Sequence, residues 1–83
     1  MNRTTIYQEL VSSIKNCIPF PDKNIESVEL IEDLNLDSLT FVMILVEMEM
    51  RCNVMFTDDF YNINNFIKIT DLVDSIYLKV NET

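Results

Sequence analysis

The sequence predicts an all-α fold: three main helices, one short helix, and a long loop between the first two. Three observations predict it. Apolar residues recur at helical spacing in three separate stretches. No stretch alternates apolar and polar residues in the way a half-buried strand does. The turn-forming residues cluster between those stretches, at Pro19-Phe20-Pro21 and at Asn62-Ile63-Asn64-Asn65.

The first helix carries Ile6, Leu10, Val11, Ile14 and Ile18 on one side. Thr5 and Gln8 stand three apart and suit a capping box, each side chain satisfying the other's free backbone N–H. Pro19 and Pro21 close the helix, so it is expected from Thr5 to Cys17. Residues Pro19 to Asp37 form the long connection. It is acidic, yet it holds Ile25, Val28, Leu30, Ile31, Leu34 and Leu36, so it must pack against the helices, with a short helical turn around Ile25 to Leu30. The second helix, Leu39 to Arg51, is apolar nearly all round. Phe41, Ile44, Leu45, Met48 and Cys52 share one face, and Leu39, Val42, Met43, Val46 and Met50 share another. A domain this small has too little chain to cover both faces, so one of them faces a partner. Thr57 or Asp58 caps a short third helix through about Asn62, and Thr70 or Asp71 caps a last helix bearing Leu72, Val73, Ile76, Tyr77 and Val80.

Eighty-three residues allow one domain, residues 1–83. Fourteen acidic residues against six basic ones give a net charge of −8. That charge repels phosphate backbones and anionic lipid, so neither nucleic acid nor a membrane is an expected partner, and basic protein surfaces are. No apolar run reaches the ~20 residues of a membrane span, and the first residues show no leader pattern. A cytoplasmic monomer is expected. The chain has no histidine, which removes Ser-His and Cys-His nucleophile pairs and the commonest metal ligand. Cys17 and Cys52 have no close-spaced partner and read as small core hydrophobes, not as a zinc site. With no glycine, phosphate-cradling loops are excluded as well. No metal and no catalytic residue is expected, and the chain is not expected to be an enzyme.

Where the acidic loop meets the second helix the chain reads Asp33-Leu34-Asn35-Leu36-Asp37-Ser38-Leu39. This segment resembles the attachment motif of the acyl carrier protein family, Asp-Leu-Gly-x-Asp-Ser-Leu, at the start of the second of four helices. The likeness extends over almost the whole chain: a first helix ending near proline, an acidic leucine-bearing loop, the motif near mid-chain, and Asn65-Phe66 through Asp71-Leu72-Val73 before the last helix. Asp-Ser-Leu alone is a weak signal. The same tripeptide opening a helix in a short acidic helical chain is a specific one. On the residues alone, Ser38 or Asp37 also reads as a plain helix cap.

The resemblance implies a four-helix acyl-carrier bundle that holds acyl groups as thioesters on a 4'-phosphopantetheine arm. Ser38 is the attachment point, and Asp37 and Leu39 flank it. A magnesium-dependent phosphopantetheinyl transferase would move the arm from coenzyme A onto the serine hydroxyl. Acyl-loading and acyl-transfer enzymes would be the later partners. Thr40, Val42, Met43, Val46, Glu49 and Met50 are the expected partner-binding residues of the second helix. Independently of the resemblance, a serine at a helix N-terminus sits at the positive end of the dipole, which favours a phosphodiester by ~0.3–1 kcal/mol.

Three departures from the family pattern carry expectations of their own. Asn35 replaces the motif's glycine, and asparagine is the next residue most tolerant of positive φ, so a left-handed conformation is expected there. Thr40, Met43 and Met50 occupy places where the family often has acids, while Glu49 keeps its charge; this points to apolar contacts and a specialised pathway. Cys52 stands where phenylalanine is common, which either enlarges the core cavity or leaves Phe56 and Phe60 to fill it. Two alternatives stay open: a free-standing aminoacyl, peptidyl or D-alanine carrier, and a helical interaction module with no prosthetic group.

Overall fold

The computed structural model describes residues 1–18 and 24–82. Among them the architecture is all-helical, with three α-helices: α1 (Arg3–Cys17), α2 (Ser38–Cys52) and α3 (Ile69–Val80). The expected short helix after α2 is not an α-helix. The chain there makes two 3₁₀ turns, Asp58–Tyr61 and Ile63–Asn65. The segment before it, Val54–Thr57, is extended or irregular, and Thr57 makes no side-chain cap bond.

Helix α1 starts earlier than expected because Asn2 is the cap. Its Oδ1 accepts the Thr5 N–H at 2.8 Å, so Thr5 lies inside the helix and the Thr5–Gln8 capping box does not form. Asparagine is among the strongest caps, and its use adds half a turn. The helix ends at Cys17 as expected, and the prolines held responsible, Pro19 and Pro21, lie outside the described residues.

The loop before α2 packs inward. It makes 3₁₀ turns at Ile25–Ser27 and Ile31–Leu34, burying Ile25, Val28 and Ile31. The first turn lies within the stretch foreseen, and the second follows it. The loop is also tied to the segment entering α3. The Ile31 N–H donates to the Ile67 carbonyl and the Ile69 N–H to the Glu29 carbonyl, both at 2.9 Å, around a Leu30–Lys68 antiparallel bridge. This pairing moves the start of α3 ahead of the expected Thr70 or Asp71 caps. Ile69 is already helical and buried. Asp71 instead reaches back from the first turn to accept the Lys68 N–H at 3.0 Å.

The core lies where α1 packs on α2 and α3. Ile6, Leu10 and Ile14 of α1 meet Phe41, Ile44, Leu45 and Met48 of α2 and Leu72, Val73 and Ile76 of α3. Ser13 is fully buried among them, and its hydroxyl donates to the Met48 sulfur at 3.4 Å, so no buried polar atom there goes without a partner. Beside the core, Phe56 stacks on Phe60 at 4.5 Å, Phe60 meets Phe66 at 5.9 Å, and Phe66 meets Phe41 at 6.3 Å. Cys52 is buried, Cys17 is half-buried, and both are free thiols whose pKa is pushed up chiefly by burial.

Candidate functional site

The site is built around the first turn of α2. Leu34 ends its 3₁₀ turn, and Asn35 reverses the chain with φ 53° and ψ 42°. This is the left-handed conformation expected for it. In a chain without glycine the two positive-φ residues described, Asn35 and Asn53, are both asparagines, and Asn53 ends α2 as Asn35 prepares its start. The Asn35 turn lets Leu34 and Leu36 both pack against the core while Asp37 and Ser38 emerge to solvent.

Asp37 is the N-cap. Its Oδ1 accepts the Thr40 N–H at 2.7 Å and its carbonyl accepts the Phe41 N–H at 3.0 Å. The Thr40 N–H holds the Asp37 carboxyl below its ordinary value. With those donors taken, helix geometry leaves the N–H groups of Ser38 and Leu39 without an intrahelical acceptor. Ser38 is the first helical residue and is exposed, so its hydroxyl stands free of the capping role. Two open grooves flank the turn. One of about 620 Å³ runs past Asn35, Leu36, Ile63 and Phe66. The other, of about 310 Å³, runs past Cys17, Ile18, Asp37 and Thr40. Little space lies directly behind them among the described residues. The void under Leu34, Leu36 and Phe41 measures about 10 Å³, room for one water-sized sphere at most.

The two faces of α2 separate as the apolar spacing indicates. Phe41, Ile44, Leu45, Met48 and Cys52 are buried. Leu39, Met43, Val46 and Met50 are exposed, with Val42 and Thr40 half-buried beside them. Glu49 is placed differently from a free docking acid. Its carboxylate turns toward the chain that follows α2, accepting the Phe56 N–H at 2.7 Å and the Tyr61 hydroxyl at 2.6 Å. Burial, this hydrogen bond and the Glu49 charge push the Tyr61 phenol up to about 12. Glu47 is committed to the opposite side. It accepts Asn16 Nδ2 at 2.8 Å and both Nε and Nη2 of Arg51, while Arg51 Nη1 reaches Glu9 at 2.8 Å and so ties α2 to α1. The roles of Glu47 and Glu49 were missed because Asn16, Phe56 and Tyr61 all lie outside α2. Only the i,i+4 spacing of Glu47 and Arg51 offered a signal.

Among the described residues no helix is long and apolar enough to cross a membrane. No family model, curated protein or solved structure matches this chain.

Proposed function

We propose that the protein is an acyl carrier, with Ser38 bearing a 4'-phosphopantetheine arm. The observation that carries this reading is the placement of Ser38: exposed, at the first position of α2, with the capping duty taken by Asp37. The N–H groups of Ser38 and Leu39 and the positive end of the helix suit a phosphodiester at this point. Attachment forms a bond from Ser38 Oγ to the phosphorus of coenzyme A nearest the pantetheine. The pyrophosphate bond breaks and adenosine 3',5'-bisphosphate leaves. The serine proton passes to a base on the transferase. Once in place, the arm supplies a thiol that holds the cargo as a thioester, and this chain's part is to present it. Asp37 keeps the turn in shape, and the exposed face of α2 meets the transferase and the acyl-loading and acyl-transfer enzymes.

The test is intact mass after incubation with coenzyme A and a broad-specificity phosphopantetheinyl transferase. One phosphopantetheine is expected on the parent and none on Ser38→Ala. A parent of unchanged mass, or a gain that survives Ser38→Ala, overturns the reading. The exposed apolar stripe of α2 favours a second reading, a helical interaction module without a prosthetic group, and an unmodified parent selects it.

A further inference from the structure

A row of apolar side chains leads away from Ser38 along α2. Val42, Val46 and Met50 follow it at steps of four residues, the spacing that stacks side chains along one ridge of a helix. Val42 is half-buried, Val46 is 42% exposed and Met50 is 72% exposed. The row ends at an open hollow of about 410 Å³, next to Asn53 where the helix stops. Val46, Met50, Val54 and Met55 form its apolar wall, with Glu49 and Asn53 beside them.

The arm proposed at Ser38 has the length of this row. About 16 bonds separate the Ser38 Cα from the thiol sulfur, and an extended chain advances ~1.1–1.2 Å per bond, which gives a reach of ~18 Å. The helix from Ser38 to Met50 rises by ~18 Å as well. An extended arm laid along the row therefore brings its thiol to the hollow. Other spaces suit the end of the arm less well. The groove of about 620 Å³ starts beside Asn35 and Leu36, and Glu32, Asn35 and Asn64 put polar groups on its wall, so an extended arm overshoots it. The void of about 10 Å³ under Leu34, Leu36 and Phe41 admits one water-sized sphere at most and no chain of several methylenes.

We infer that the hollow between Val46, Met50, Val54 and Met55 is a resting site for a neutral acyl chain carried on the protein's own arm. The inference rests on the carrier reading and names the class of cargo. The tether sets a threshold of chain length. A short flexible tether holds its end at an effective concentration of ~1 mM. Each buried methylene multiplies affinity about fourfold. About five of them supply the roughly thousandfold that half-occupancy needs at ~1 mM. An acetyl group therefore stays in water, and an octanoyl group rests in the hollow. Methionine side chains adapt their shape to such a chain. The Glu49 carboxylate at the wall repels a cargo that ends in a carboxylate.

The test follows side-chain methyl signals by NMR in protein loaded at Ser38. A broad-specificity phosphopantetheinyl transferase installs the acyl arm from acetyl- or octanoyl-coenzyme A, and intact mass confirms the load. Octanoyl loading is expected to shift the Val46, Met50, Val54 and Met55 methyl signals beyond their positions in the acetyl form. Met48, buried on the opposite face of the same helix, keeps its signal. In M50Q/M55Q the Val46 and Val54 shifts are expected to fall by about half or more, and in M50L/M55L they persist. Far-UV circular dichroism confirms that each variant is folded. An octanoyl spectrum equal to the acetyl one, shifts at Met48 or at Ile63 and Ile67 in place of the hollow, or shifts unchanged in M50Q/M55Q overturn the resting site and leave the carrier reading standing. A parent that is never loaded overturns both.

Discussion

Replacing Glu49 by alanine tests whether this acid is an anchor or a docking charge. The substitution removes the acceptor of two hydrogen bonds, from the Phe56 N–H at 2.7 Å and the Tyr61 hydroxyl at 2.6 Å. Hydrogen bonds to a charged acceptor are worth ~1.5–3 kcal/mol each. Two of them sum to ~3–6 kcal/mol, and water reaching this partly exposed site about halves that. We expect Glu49→Ala to destabilise the fold by ~2–3 kcal/mol in urea unfolding followed by circular dichroism. For a domain of this size the melting temperature falls by about 10–20 °C. Tyr61→Phe removes one of the two bonds and costs about half as much, and the double variant costs less than the sum because the pair is coupled. Spectroscopic titration of the phenols gives a second readout. In Glu49→Ala the Tyr61 pKa drops from about 12 toward its ordinary 10.0 but stays above it, because burial, the largest cause, remains. A variant within ~0.5 kcal/mol of the parent, with Tyr61 titrating as before, refutes the anchor.

Asn35 at φ 53° makes a conformational prediction: Asn35→Val costs ~1–2 kcal/mol in denaturant unfolding, because a β-branched side chain clashes in the left-handed region, whereas Asn35→Gly stays within ~0.5 kcal/mol. At acid pH the fold loses stability through Asp37 and Glu47. The Thr40 N–H holds Asp37 below 3.8, and Asn16 and Arg51 hold Glu47 below 4.5. Their contribution is complete above those ordinary values and disappears as pH falls through the lower folded ones, so Asp37→Asn flattens part of that decline in acid unfolding curves. At alkaline pH the sign reverses for Tyr61. The unfolded chain releases its proton near 10.0 and the folded chain near about 12, so stability declines between those values, and Tyr61→Phe removes that part of the decline.

Most of the helical layout was legible because it rests on local rules. Helical spacing placed the buried faces of α1, α2 and α3, and the split of α2 into a covered and an uncovered side followed from counting how much chain remained to cover it. The left-handed turn at Asn35 was legible because asparagine is tolerated there and glycine is nowhere in the chain. The misplacements share a different cause. The start of α3 was misread because Ile69 is drawn in by the Glu29 carbonyl, forty residues away in the chain. The segment after α2 stands where it was expected, after Thr57, but as a 3₁₀ turn, Asp58–Tyr61, followed by a second at Ile63–Asn65. At Cys52, Phe56 joins the same buried cluster and Phe60 packs against it.

The sequence by itself determined the three helical faces, the bend at Asn35 and the place of Ser38 at the mouth of α2, since each depends on neighbours within a turn or two. Only the tertiary structure decided which charges are available. Glu47 and Glu49 stand two apart on a mostly apolar helix, and the sequence distinguishes them only by the Arg51 four residues after Glu47. One is held by α1 and Arg51, the other by Phe56 and Tyr61, because a buried-side donor captures a carboxylate only once separate elements have packed.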